Sequence, residues 1–209
     1  MFGQIDYLNL LPFHIFMKKN YSYYTTKKSY PAKINKMFEK KIVDAAFISS
    51  IKSKNKLCLD AGIIANKKVL SVLVCDGKYK EDNESNTSNI LAKVLNKKGE
   101  IIIGDKALKK FYETNNCQDL ATLWYEKYKL PFVFARFCIN KNVIQYKKMI
   151  TQFLAQKIYI PNYILNKYSK KTNISKKEIK NYLKLISYKI SYKEKKSLKK
   201  FLKLSDKLS

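Results

Sequence analysis

The chain has 209 residues and is 46% hydrophobic, which fits a globular protein of one large domain or two small lobes and not a disordered one. It holds no run of 18 apolar residues to cross a membrane, and Asp6, Asn9 and Pro12 interrupt the N-terminal apolar stretch, so no signal peptide is expected. The 43 Lys and Arg against 16 Asp and Glu give a net charge of +27, but Arg136 is the single arginine; base reading favours arginine, so nucleic-acid binding ranks below a solvated lysine surface, whose field also draws small anions.

In chain order, Phe2–Leu8 alternates in side-chain type and carries β-branched and aromatic residues, which predicts a strand. Asn9 ends it, and Pro12 suits the first turn of the helix expected over Phe13–Lys19. A strand flanked by loop is expected within Tyr21–Tyr30. A helix follows over Pro31–Lys41 with Ile34, Met37 and Phe38 on one face. The apolar run Val43–Ile48 reads as a buried strand whose end carries Ser49 and Ser50. Leu59–Ala65 and Val69–Cys75 read as further strands, and the charged stretch Lys78–Asn86 as a loop or lobe boundary.

Thr87 and Ser88 offer hydroxyl caps to a helix over Ile90–Leu95, which Gly99 ends. Glu100–Gly104 is the next strand, and Asp105 the expected cap of another helix. Asp119 opens a helix with Leu120, Leu123, Trp124 and Tyr128 inward, and Pro131 leads into a strand over Phe132–Cys138. The remainder reads as largely helical: Val143–Ala155, Asn162–Tyr168, then two helices opened by the capping boxes Ser175/Glu178 and Ser191/Glu194. Alternating strands and helices predict an α/β fold with a mainly parallel sheet.

The four cysteines stand outside any C-x-x-C, with His14 the only histidine, so neither zinc nor a disulfide framework is expected and the thiols read as buried or idle. His14 itself reads as a packing or surface residue. There is no G-x-G-x-x-G, P-loop or G-x-S-x-G. Four turns between strands and helices instead carry small polar groups: Asn9 (with Tyr7 before it), Ser49-Ser50, Thr87-Ser88 and Gly104-Asp105. Helix N-termini present free N–H groups and partial positive charge, so such turns facing one cleft would hold a small anion, for example a dicarboxylate.

The segments FGQIDYLNLLPF, DAAFISS, SNTSNILAKVL, IIIGDKAL and LPFVFARF, in that order from Phe2 to Phe137, resemble the chorismate dehydratase family of menaquinone biosynthesis by the futalosine pathway. The resemblance implies a type II periplasmic-binding-protein-like fold of two lobes, a ligand cleft and two crossings, expected near Leu73–Asp76 and Phe134–Ile139. Residues 1–75, with part of 139–209, would form the first lobe and 76–138 the core of the second. It implies a cytoplasmic lyase that removes water from chorismate to give 3-[(1-carboxyvinyl)oxy]benzoate. Aromatisation drives that reaction, so no cofactor or metal is expected. A non-catalytic small-anion binder of the same fold is the alternative. So is the related 1,4-dihydroxy-6-naphthoate synthase, which uses a histidine in the second lobe; His14 lies in the first helix.

On this resemblance Asn9 is the catalytic candidate, holding the departing hydroxyl or the enolpyruvyl group. Thr87 and Ser88 would bind the ring carboxylate, and Ser49 and Ser50 a carboxylate from the opposite lobe. Tyr7 is a further substrate-binding candidate; Gly104 would let backbone approach, and Asp105 would cap its helix or touch the ligand. No side chain stands out as general base, and the substrate's own enolpyruvyl carboxylate is a candidate acceptor. Two departures stand out: Leu10 replaces a usual threonine, and Arg136-Phe137 an apolar residue and a tryptophan. Arg136 is either a second carboxylate contact or an exposed strand-end residue.

Overall fold

The computed structural model describes residues 1–208. A six-stranded sheet is built from β1 (Phe2–Ile5), β2 (Thr26–Ser29), β3 (Ala45–Ser49), β4 (Cys58–Ala65), β8 (Phe132–Ile139) and β9 (Ile186–Lys189), in the order β2-β1-β3-β8-β4-β9. A three-stranded sheet holds β5 (Val72–Cys75), β6 (Glu100–Ile103) and β7 (Cys117–Asp119), in the order β6-β5-β7. Only β1 with β2 and β1 with β3 run parallel; the other strand pairs are antiparallel. The expectation of a mainly parallel sheet is thus corrected. The long β8 returns through the middle of the larger sheet instead of adding at an edge, and its direction opposes both neighbours.

The larger core follows from aromatic residues placed by these strands. Phe13, on α1 (Leu11–Asn20), meets Phe47 edge-on at 5.1 Å and Phe153, on α6 (Val143–Leu154), at 5.0 Å. Phe2 stacks on Phe137 at 6.0 Å, closing the cluster across β1 and β8. Gly62 is required where β4 and β8 shift register: a Cβ there would lie 2.3 Å from the Ala135 carbonyl oxygen.

Around the sheets lie α2 (Pro31–Glu39), α3 (Asn86–Val94), α4 (Gly104–Glu113), α5 (Leu120–Tyr128), α7 (Asn162–Thr172), α8 (Lys176–Leu183) and α9 (Tyr192–Ser205). Trp124 of α5 is fully buried; its ring packs on Phe132 at 5.2 Å and its Nε1 donates to Ser197 Oγ of α9 at 3.0 Å. Both capping boxes form at α8 and α9. Two expected caps do not. Ser85, not Thr87 or Ser88, caps α3 by accepting from the Ser88 amide, and Asp105 lies inside α4, one residue past its start. β9 lies between the two capping-box helices, in a part of the chain read as largely helical.

The four cysteines pair, Cys58 with Cys138 and Cys75 with Cys117. Each pair sits directly opposed on neighbouring antiparallel strands, with Cα atoms 3.9 and 4.0 Å apart. Strand register brings together residues whose spacing in the chain gives no hint, so the reading of idle thiols is corrected. The chain leaves the larger sheet over residues 66–71 and re-enters it at Phe132. Both passages precede the segments expected for them, because Val72–Cys75 already belongs to the small sheet and Phe132–Ile139 wholly to the large one.

Candidate active site

A cleft opens where the carboxyl ends of β1, β3 and β6 meet the N-termini of α3 and α4. Ligands of open α/β sheets bind at such strand ends. Tyr7, Asn9, Ser49, Thr87, Ser88 and Gly104 all line it. Ile63, Val69, Val72, Ile103 and Phe134 supply an apolar wall. Polar groups at one end and an apolar wall beside them suit a small ring compound with charged substituents.

Asn9 sits on a single 3-10 turn over Leu8–Leu10. That turn is fixed at both ends: the Leu8 amide donates to Asp105 Oδ1 at 3.0 Å, and Tyr188 Oη donates to the Asn9 carbonyl at 2.5 Å. Oδ1 of Asn9 is buried at the cleft and has no hydrogen-bond partner. Buried polar atoms are nearly always paired, so a lone acceptor here is a place for a ligand's donor.

Ser49 ends β3 and is held by the buried Asn35 of α2. Asn35 Nδ2 donates to Ser49 Oγ at 2.8 Å, and the Ser49 amide donates to Asn35 Oδ1 at 3.1 Å. The Ser49 hydroxyl therefore accepts from Asn35 and keeps its own proton to give. Thr87 Oγ1 accepts from the Ile51 amide at 3.3 Å, and Ser88 Oγ accepts from Ser85 Oγ at 2.8 Å. These bonds anchor the first turn of α3 at the cleft.

Gly104 has φ +72, and a Cβ there would lie 2.7 Å from Cζ of Tyr7. The tyrosine ring therefore packs flat against bare backbone at the start of α4. Gly104→Ala should destabilise the fold by about 2–4 kcal/mol, because it adds left-handed strain to overpacking. Urea denaturation of the purified variant measures this, and an unchanged midpoint would contradict the packing described.

Three candidates lie outside the cleft. Ser50 follows Ser49 but turns to the other side, where its Oγ donates to the Val133 carbonyl at 2.6 Å in full burial. Asp105 turns behind the Leu8 turn, and burial pushes its carboxyl up to about 6 against the pull of the Leu8 amide. Arg136 lies in mid-strand between Ile48 and Gly62, and burial lowers its pKa. Ser50, Asp105 and Arg136 are not among the residues that line the cleft. His14 is buried in α1, away from the cleft lining, and burial lowers its pKa to about 4.

Sequence reasoning missed Ser71, Ser85 and Phe134 in the lining, and Asn35 and Glu84 behind it. Glu84 stands in the charged run that marks only a loop. Asn35 was legible only as a polar residue three positions before Phe38, the helical spacing that puts both on one face. Among the described residues no three His, Cys, Asp or Glu side chains are grouped to hold a metal ion.

Two packed α/β layers around such a cleft define a periplasmic-binding-protein-like fold. A protein from Candida albicans with the generic fold of that class superposes with a TM-score of 0.54 at 10% identity, covering 100% of this chain and 90% of its own. The crystal structure of protein AF1704 from Archaeoglobus fulgidus superposes with a TM-score of 0.70 at 12% identity, covering 99% of this chain and 96% of its own. The chain belongs to the menaquinone biosynthesis family, whose model matches residues 1–100 and 83–207. It is 47% identical to the chorismate dehydratase of Campylobacter jejuni over 97% of this chain and 96% of that protein.

Proposed function

We propose that the protein is a chorismate dehydratase, a carbon–oxygen hydro-lyase that converts chorismate to 3-[(1-carboxyvinyl)oxy]benzoate within the futalosine route to menaquinone. The near full-length match to a protein of that name supports this reading. The observation that carries it in the structure is the cleft itself. Two helix N-termini, the unpartnered Asn9 acceptor and an apolar wall face one space, a set of groups that suits a small ring dianion. In this reading the two sheets with their helices are the two lobes, and the lysine-rich surface draws the dianion inward. The setting is cytoplasmic.

Loss of water removes the C3 hydrogen and the C4 hydroxyl. The ring carboxylate is conjugated to C3, so charge develops on it as the C–H bond breaks. Thr87, Ser88 and the free amides of the first turn of α3 are assigned to that carboxylate, where fixed donors lower the barrier. Asn9 Oδ1 is assigned to the C4 hydroxyl, Ser49 to the enolpyruvyl carboxylate, and Phe134 with Val72 to the ring face.

Incubating the purified protein with chorismate and following the product by mass spectrometry tests the function; binding without turnover would favour a non-catalytic anion binder. For the carboxylate site, Thr87→Val combined with Ser88→Ala should raise KM for chorismate by about 10-fold or more, the usual worth of hydrogen bonds to a charged group. Unchanged kinetics in that double variant would remove the assignment.

A further inference from the structure

The Asn9 carboxamide oxygen is buried and meets no protein donor, so no bond of its own aims it. Its direction depends on the turn that carries it, Leu8–Leu10. That turn is closed by the Leu10 amide on the Tyr7 carbonyl at 3.1 Å. A single 3-10 turn is a weak frame by itself, because its bonds are poorly aligned and too few to offset the cost of starting a helix. The fold supplies the rest of the frame from two directions.

On one side stands Asp105, in the first turn of α4, which packs on the small sheet. Its Oδ1 accepts from the Leu8 amide at 3.0 Å, from 97 residues further along the chain. Burial pushes the carboxyl up to about 6, opposed by the Leu8 amide and Lys171 and assisted by Asp6. Charged or neutral, it keeps an oxygen to accept with. On the other side stands Tyr188 of β9, the edge strand of the large sheet. Its ring meets Phe153 at 5.1 Å, and its Oη donates to the Asn9 carbonyl at 2.5 Å. Burial pushes that phenol well above its usual range, so it stays a donor. One bond fixes the peptide entering Leu8 and the other the peptide leaving Asn9. The segment that bears the carboxamide is thus held at both ends, and neither Asp105 nor Tyr188 lines the cleft.

We propose that Asp105 and Tyr188 are positioning residues for the dehydration, which set the Asn9 carboxamide against the C4 hydroxyl from behind the cleft. The inference rests on the chorismate reading and on the task given to Asn9 there. A misplacement of about 1 Å in a reacting contact costs on the order of 100-fold in rate. Loss of either anchor loosens the turn but removes no group that touches the substrate, so its cost falls on turnover and not on binding. The two anchors also reach in from different sheets. Asn9 is therefore aligned only where the two layers meet as they do around this cleft.

The test is steady-state kinetics on chorismate for the full-length protein, Asp105→Ala, Asp105→Asn and Tyr188→Phe, with each substitution repeated in an Asn9→Ala background. Asp105→Ala and Tyr188→Phe should each lower kcat by about 10-fold or more while KM stays within about threefold. Asp105→Asn should bring kcat back to within about threefold of wild type, because its amide oxygen still accepts from Leu8. In the Asn9→Ala background the same substitutions should change kcat by less than about twofold, since no carboxamide is left to aim. A general loosening of the fold would instead lower kcat equally in both backgrounds. Tyr188→Phe keeps the ring on Phe153, so it reports even where Asp105→Ala does not fold.

Losses of equal size in the two backgrounds, a raised KM with kcat unchanged, or a folded Asp105→Asn as slow as Asp105→Ala overturn the positioning role. A wild-type protein inert toward chorismate overturns the functional reading and this inference together. An active wild type with unaffected Asp105 and Tyr188 variants overturns the inference alone.

Discussion

Asn9→Ala should lower kcat for chorismate on the order of 100-fold while leaving the melting temperature nearly unchanged, because the lost group positions a reacting bond and supports no fold contact. The structure gives the reason. The Asn9 side-chain oxygen touches no protein donor, so its removal breaks no internal bond. The backbone of the same residue is held independently, through Tyr188 on its carbonyl and Asp105 on the neighbouring Leu8 amide. The turn therefore keeps its shape when the side chain is cut back. Steady-state kinetics alongside a thermal melt separates the two effects. Full turnover in Asn9→Ala would end the catalytic assignment of this residue.

Asp119→Ala should cost the fold about 3–5 kcal/mol, since it removes a helix cap and strands two buried amides. One carboxylate oxygen accepts from Ala121 at 2.8 Å and Thr122 at 3.1 Å, capping α5. The other accepts from Val69 at 2.8 Å and Leu70 at 2.6 Å, on the passage between the sheets. Leu70 has φ +58, a left-handed conformation that a leucine holds only when its surroundings insist. Burial still raises the Asp119 carboxyl above its ordinary range, against the pull of those four amides. Thermal denaturation should show a fall of about 6–20 °C, given the scaling for a domain of this size. Because Val69, Ser71 and Val72 line the cleft, the same change should also loosen substrate binding.

The turns that carry the site were legible because each joins a strong local signal to a small polar residue. Asn9 follows an apolar strand and precedes a proline; Thr87 and Ser88 precede an amphipathic run; Gly104 ends EIII. What was not legible depends on direction across space. Ser49 and Ser50 are adjacent in sequence, yet one faces the cleft and the other β8, and nothing local decides between them. Asp105 looked like a cap from its place before a helix, but tertiary structure gives its carboxylate the Leu8 amide instead. β9 is short and interrupted by lysine and tyrosine, so its pattern fits a helix as well as an edge strand. Glu84 meets the cleft wall only through the hydroxyl that Tyr7 donates to it, 77 residues away, a distance no periodicity spans. The same holds for the cysteine pairs, separated by 80 and 42 residues.

The insertion of β8 between β3 and β4 has a consequence for how the molecule is made. β3 and β4 are neighbours in sequence but not in the sheet; the strand between them is synthesised after the entire small sheet. On the ribosome, a nascent chain that has emerged only as far as β4 holds strand edges with no partner. Closure of the long-range sheet must wait until nearly two-thirds of the chain has been made, and late pairing of this kind slows folding and exposes edges to aggregation. Tyr182 and Tyr188 arrive later still, and they brace Ser71 and Asn9 from behind the cleft. Synthesis is therefore nearly over before the groove that does the chemistry can exist.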